Sequence, residues 1–420
     1  MIETSVLPSG IRLVTETMAD VRSVAMAYWV GSGSRDESDE LAGASHFLEH
    51  LLFKGTEERS AVAIAEDLDA VGGDCNAFTT KEYTTFYIRL LAEHLPLGLD
   101  ILSDIMWAPA LRPADVDAER SVILDEILMH ADEPSDLAAE QWQSAVFPGH
   151  PLGRDTLGTA ATVADLTASD IRGFFEEHYR PANMVVSVAG DCRHEEVADD
   201  IERRFAGTPG GHAPRRQAPG AEIGSLQVVR RPTEQAHVVY GVRSIARSDE
   251  RRWALAVLNH VLGGGLSSRL FQKVREERGL AYSIWSERAA YADAGSLAVV
   301  AGTAPENVDE VLKIVAGELE NLAEHGITER ELAVAKGNLR AELLLSGEDS
   351  GARMSRLGAS TLLHGEARDV DHLLGRIDQV TLDDVATEAT TLAESPRTLS
   401  AVGPFDREDL AAHLPAMAGR

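Results

Sequence analysis

His46-Phe47-Leu48-Glu49-His50-Leu51-Leu52-Phe53 is the stretch from which the rest of the chain is read. Two histidines four apart stand on one face of a helix, one turn from each other. That spacing lets both imidazoles reach one ion at about 2.0–2.1 Å. Glu49 projects from a neighbouring part of the same turn and can reach a water beside the ion without ligating it. Phe47, Leu48, Leu51, Leu52 and Phe53 supply the apolar flanks of a buried helix. The plain alternative is a buried helix with two hydrogen-bonded histidines and a solvated Glu49.

Catalytic zinc takes three protein ligands and keeps one position open. The stretch Asp117-Ala118-Glu119-Arg120-Ser121-Val122-Ile123-Leu124-Asp125-Glu126-Ile127 offers the third. Val116, Val122, Ile123, Ile127 and Leu128 give it helical apolar spacing. Glu119 and Glu126 are two turns apart on one face, so one can bind metal while the other supports it. Spacing alone leaves Glu119, Asp125 and Glu126 open, and acids at helical spacing ordinarily form a solvated face.

Outward from these helices the chain divides. Proline and glycine crowd residues 207–225, which run Gly207-Thr208-Pro209-Gly210-Gly211 and on through Pro214, Pro219 and Gly220. Such density blocks regular structure and marks a linker. The expected domains are 1–206 and 226–420. Ser23–Val30 and Ala236–Val242 are matching apolar, β-prone runs at an offset of about 213. Later, Leu166–Ile171 opens a helix leading to the strand Met184–Gly190, and Val380–Val385 opens one leading to Thr398–Gly403. Thr167 with Asp170 and Thr381 with Asp384 resemble capping boxes. Two matches in one order at nearly one offset indicate a duplication. Long helical patterns at Leu95–Met106 and Val308–Leu322 break any regular βαβ alternation. Each half is therefore read as an α+β domain, a largely antiparallel sheet with helices on one face.

The bulk properties fit. A chain of 420 residues suits two domains of about 200, and 44% hydrophobic residues can build their cores. A net charge of −29 argues against nucleic acid and anionic lipid as partners, since both need a cationic face. Two cysteines, Cys75 and Cys192, make no disulfide framework and point to a reducing compartment. The N-terminus lacks the basic and apolar regions of a secretory signal. No uncharged apolar run is long enough for a membrane span. A cytoplasmic protein is expected.

The residues quoted so far carry a resemblance. Gly43-Ala44-Ser45-His46-Phe47-Leu48-Glu49-His50-Leu51-Leu52-Phe53-Lys54-Gly55-Thr56 resembles the H-x-x-E-H signature of the pitrilysin and mitochondrial processing peptidase family, the inverted zincins. Gly72-Gly73-Asp74-Cys75-Asn76-Ala77-Phe78-Thr79 resembles that family's substrate-binding edge strand. Arg275-Glu276-Glu277-Arg278-Gly279-Leu280-Ala281-Tyr282 resembles its arginine–tyrosine pair. The resemblance covers most of the chain, and its length is that of the short bacterial form. Ser45 stands where the family more often has alanine.

The resemblance implies one Zn2+ per chain, held by His46, His50 and Glu126, with Glu119 in support. It implies hydrolysis of peptide bonds in extended peptides by a zinc-activated water, with Glu49 as general base. Asn76 and Ala77 would bind the substrate backbone as an added strand. Arg275 and Tyr282 would hold substrate, and Tyr282 would help the oxyanion. The halves would form a clamshell around a substrate chamber, and the chain would pair as a homodimer or with an inactive homologue. The competing expectation is a non-catalytic scaffold or partner subunit, a class that has usually lost the ligands retained here.

The repeat supplies an internal test. At the offset of 213, His46, Glu49 and His50 fall on Asn259, Leu262 and Gly263. The second half is expected to keep the helix and lack the metal, with His260 a surface or core histidine. Gly263-Gly264-Gly265 has no Gly-Lys-Ser/Thr after it, so it reads as a loop or helix end rather than a phosphate cradle. Cys75 is expected as a small buried residue, and Trp29, Trp107, Trp142, Trp253 and Trp285 as core.

Overall fold

A computed structural model describes residues 1–205 and 210–414. The chain opens with strands β1 (Ile2–Val6), β2 (Arg12–Thr17) and β3 (Ser23–Val30). Helices α1 (Ala44–Leu52) and α2 (Ala61–Val71) precede the hairpin of β4 (Asp74–Thr79) and β5 (Thr84–Leu91). Then come α3 (Leu95–Trp107), α4 (Pro113–Asp132), α5 (Pro134–Val146), α6 (Ala160–Asp165) and α7 (Ala168–His178). Strand β6 (Met184–Gly190) and α8 (His194–Phe205) end the first half. The second half runs β7 (Leu226–Arg230), β8 (Ala236–Ser244), α9 (Arg252–Gly263), β9 (Ala281–Ala290) and β10 (Gly295–Thr303). It continues with α10 (Val308–His325), α11 (Glu329–Ser346), α12 (Ser350–His364), α13 (Val370–Gln379), α14 (Leu382–Glu394) and β11 (Arg397–Gly403).

The helices and strands fall where their patterns predict. Thr167 and Thr381 accept the backbone N–H of Asp170 and Asp384, and both boxes are closed. Residues 207–209 of the linker lie outside the described residues. Residues 210–225 hold neither helix nor strand, and Arg216 among them grips Asp36 through two hydrogen bonds of 2.8 and 2.7 Å.

Two compact units result. The first sheet has the order β1-β2-β6-β3-β5-β4, and the second β7-β11-β8-β10-β9. In each, one pair is parallel, β2·β6 in the first and β7·β11 in the second, and the remaining pairs are antiparallel. Five strands thus repeat in one order, which is the duplication in three dimensions. Each sheet packs one face on helices around its own core. In the first, Phe47, Leu48, Leu51 and Leu52 of α1 are fully or almost fully buried beneath it. Burial of that kind is worth about 1.5–3 kcal/mol per side chain.

The packed units differ from the contiguous halves 1–206 and 226–420. The first unit takes in residues 343–370, and the second takes in 128–153. Helix α12 therefore covers the second face of the first sheet, with Met354 and Leu357 against Ala25, Ala27, Trp29 and Val185. Helix α5 covers the corresponding face of the second sheet through Ala138, Trp142 and Val146, and Trp142 Nε1 donates to the Thr398 carbonyl at 3.1 Å. Helices thus lie on both faces of each sheet, one more layer than expected. The reason is visible in β3 and β6, whose residues are buried on both faces. Such runs need cover on each side. Two tryptophans also depart from expectation. Trp29 and Trp142 are core, whereas Trp107 and Trp285 are 39% and 40% exposed.

Candidate metal centre

Helix α1 begins on Gly43, whose φ of +99° is left-handed and whose Cβ, if present, would meet the Leu157 carbonyl oxygen at 2.7 Å. Glycine has no side chain to cap the free amides of the first turn. Glu37 does so from the preceding loop, accepting Gly43 N–H at 2.9 Å and Ser45 N–H at 2.7 Å. A carboxylate there also faces the positive end of the helix. Burial pushes the Glu37 carboxyl up to about 7, against the opposing pull of those amides.

On this helix His46 is buried and His50 half-buried, and their Nε2 atoms stand 3.2 Å apart. Helix α4 starts on Pro113, a residue suited to a first turn. Its inward stripe runs Val116, Glu119, Ile123 and Glu126, at three- and four-residue steps. Glu126 Oε2 lies 3.6 Å from His46 Nε2 and 3.7 Å from His50 Nε2. Asp125 is exposed and stands off the stripe. Of the three acids left open by spacing, Glu126 is the one beside both histidines.

This set fits zinc. Ligand atoms placed about 2.05 Å from a tetrahedral ion are about 3.3 Å from one another, and the separations here are 3.2, 3.6 and 3.7 Å. Among the described residues His46, His50 and Glu126 form the one group of three His, Cys, Asp or Glu with ligand atoms this close. The donor chemistry agrees. His50 Nδ1–H donates to Glu119 Oε1 at 2.8 Å, which leaves the Nε2 lone pair facing His46 and Glu126. Glu119 is 5% exposed. Burial pushes its carboxyl up, but hydrogen bonds from Lys54 and His50 outweigh this and hold it below the usual range. Lys54 Nζ is 2.5 Å from its second oxygen.

Glu49 reaches the edge strand of the sheet. Its Oε2 accepts the Thr79 hydroxyl at 2.6 Å. Burial raises its pKa and the nearby Glu126 charge adds to the rise, while Thr79 and His50 oppose it. Strand β4 is the edge of the first sheet, and Asn76 and Ala77 lie at its middle. Arg275 and Tyr282 belong to the second unit. The Arg275 guanidinium sits over the rings of Phe271 and Tyr282, 4.8 and 4.6 Å from their centroids. Tyr282 is 78% exposed. The Cys75 thiol is pushed up to about 12 by burial, with Asp74 adding to the rise, and so lacks nucleophile character.

Lys54, Glu37 and Thr79 escaped the sequence reading. Lys54 stands four residues after His50, a helical spacing that could have marked it. Glu37 lies in a loop with no periodicity, and the Thr79 contact depends on strand placement alone.

The second unit keeps helix α9 in the place of α1, with Leu262 buried and His260 only 7% exposed. Burial lowers the His260 pKa. Gly263, at the position of His50, ends the helix with its Cα against β9. A Cβ there would meet Ser286 N at 2.5 Å. No ligand side chain fits that space.

Known proteins resemble this chain over nearly its whole length. The family description "Insulinase (Peptidase family M16)" matches residues 12–160, and "Peptidase M16 inactive domain" matches residues 165–339. A Streptomyces coelicolor protein described as an uncharacterized zinc protease is 46% identical over 96% of this chain and 90% of its own. A Bacillus subtilis protein of the same description is 36% identical over 96% and 98%. The crystal structure of a Helicobacter pylori protease superposes with a TM-score of 0.91 at 22% identity, over 96% of this chain and 99% of that one.

Proposed function

The chain belongs to peptidase family M16, and from that premise we propose that it is a zinc-dependent endopeptidase acting on extended peptides. The observation that carries the reading is the trio His46, His50 and Glu126, whose ligand atoms are spaced as the corners of a zinc tetrahedron. Zinc held there supplies Lewis acidity, which makes water a competent nucleophile near neutral pH. Glu119 fixes the His50 ring and its tautomer, and Lys54 keeps Glu119 ionised. Glu49 takes a proton from the attacking water as the carbon–oxygen bond forms. It then returns that proton to the leaving nitrogen as the peptide C–N bond breaks. Its raised pKa suits both tasks.

Strand β4 offers a free edge beside Glu49, and a peptide added there would be held by backbone hydrogen bonds. This mode favours extended chains and asks little of their sequence. We assign Asn76 and Ala77 to that backbone recognition, and Arg275 and Tyr282 to holding the substrate. Among the described residues no helix is long and apolar enough to cross a membrane.

The test is zinc content together with peptide cleavage in wild type and in Glu49→Gln. The expected result is about one zinc in each protein and loss of cleavage by at least about a hundredfold in the variant. Full activity in zinc-loaded Glu49→Gln would overturn the reading.

A further inference from the structure

The contact between Thr79 and Glu49 links the edge strand to the helix of the metal centre. Thr79 is the last residue of β4. Beyond it the chain turns, and Thr80 N–H and its hydroxyl both donate to the Tyr83 carbonyl at 2.8 and 2.9 Å. The end of the edge strand is therefore held in place by its own hairpin. From that point the Thr79 hydroxyl donates to Glu49 Oε2 at 2.6 Å.

The backbone amides along this edge have unequal partners. In an antiparallel pair, residues two apart direct their N–H groups to the same side. Ala77 N–H donates to the exposed Asn76 Oδ1 at 2.8 Å, so it faces away from β5. An exposed carboxamide is readily exchanged for a peptide carbonyl. Thr79 N–H points the same way, but the partly buried Glu49 carboxylate, held by the Thr79 hydroxyl, stands on that side. Pairing with an incoming strand is thus open at Ala77 and closed at Thr79. The closing group is the carboxylate assigned to proton transfer.

Resting on the zinc-peptidase reading, we propose that Thr79 is a positioning residue. It ends the strand on which the peptide docks, and it holds Glu49 at the point where docking stops and hydrolysis begins. Registration of the peptide and orientation of the base are then set by one side chain. Removing the hydroxyl should leave docking intact and let Glu49 leave its productive orientation. The effect belongs in kcat and not in KM.

The experiment uses full-length zinc-loaded protein and an internally quenched peptide chosen from a mixed-sequence library because wild type cleaves it. Thr79→Val keeps the shape and β-propensity of the residue and loses the donor. Loss of one hydrogen bond to a charged group should lower kcat roughly ten- to a hundredfold. KM and zinc content should stay within about twofold, and Thr79→Ser should recover most of the loss. The proposal is overturned if Thr79→Val keeps wild-type kcat, if its loss lies in KM or zinc content, or if Thr79→Ser is equally impaired. Should Thr79→Val lose its far-UV signal, Thr79→Ala against Thr79→Ser makes the same comparison. Glu49→Gln separates the two readings. If that variant is fully active, the peptidase reading itself fails. If it is inactive while Thr79→Val is fully active, only the assignment of Thr79 fails.

Discussion

Glu119 and Glu126 share one face of α4 but meet the metal set from opposite sides, and their amide variants should separate cleanly. Glu119 accepts from His50 Nδ1 at 2.8 Å, behind the ring. Glu126 Oε2 lies 3.6 and 3.7 Å from the two Nε2 atoms, in front of it. In Glu119→Gln the side-chain carbonyl can still accept from His50, so orientation is weakened and ligation is kept. Loss of such a supporting carboxylate costs about ten- to a hundredfold in metal affinity, or about 1.4–2.7 kcal/mol. In Glu126→Gln one of three protein ligands becomes a poor donor. If a fully protein-ligated zinc is worth about 10–16 kcal/mol over four ligands, one ligand carries about 2.5–4 kcal/mol. The expected loss is then about 70- to 900-fold.

Zinc affinity can be read by competition with a chromophoric chelator at fixed pH, with circular dichroism to confirm that each variant is folded. The expected order of affinity is wild type, Glu119→Gln, Glu126→Gln. The reverse order for the two variants would refute the assignment, because it would put Glu119 on the metal and Glu126 in support. Lys54→Met provides a further check. It removes the cation 2.5 Å from Glu119 and should weaken zinc by less than Glu119→Gln does.

Two other outcomes follow from packing and burial. The Glu37 carboxyl has a folded pKa of about 7 against an ordinary 4.5, so the fold favours its protonated form. Its contribution to stability is complete below about pH 4.5 and is lost as pH rises through 7, a span of roughly 3 kcal/mol. Denaturation of wild type and Glu37→Gln between pH 5 and 8 should show the wild-type curve falling with pH relative to the variant. Parallel curves would contradict the burial argument. Gly263→Ala should destabilise the second unit by about 1–3 kcal/mol, because the new methyl meets Ser286 N at 2.5 Å. A thermal melt unchanged from wild type would show that α9 and β9 separate easily.

The sequence was most informative where physical periods are short and local. Two histidines one turn apart, a threonine three residues before an aspartate, and apolar runs bounded by glycine and proline each leave a mark within one or two turns of chain. The helices around His46 and Glu126, both capping boxes and the duplicated strands were legible for that reason. The choice of Glu126 over Asp125 and Glu119 was not. It depends on how α4 is rotated against α1, which Val116 and Ile123 settle by burial. Nor was the exchange of α5 and α12 between units legible. Their apolar stripes show that they pack on something, and no stripe names its partner sheet. The same holds for Trp107 and Trp285, whose hydrophobicity suggests the core although both sit 39–40% exposed in the fold. Resemblance to a family brought in Asn76, Ala77, Arg275 and Tyr282, which no local period marks.

The duplication also bears on why the trio of ligand-type side chains stands in the first unit. Both units pack a helix, α1 or α9, against the edge strand of a sheet that repeats one strand order. In the first unit the edge strand reaches the helix through a side chain, Thr79 to Glu49. The His50 ring of that helix turns to Glu119 and Glu126 of α4. In the second unit β9 comes to the helix backbone itself: Ser286 Oγ donates to the Asn259 carbonyl at 3.0 Å, and Gly263 abuts the Ser286 amide. Close packing there gains van der Waals contact and fills the volume that a ligand would need. Restoring histidines at 259 and 263 would therefore not restore a site, because β9 would have to retreat first. The two units thus differ in the gap between one helix and one edge strand.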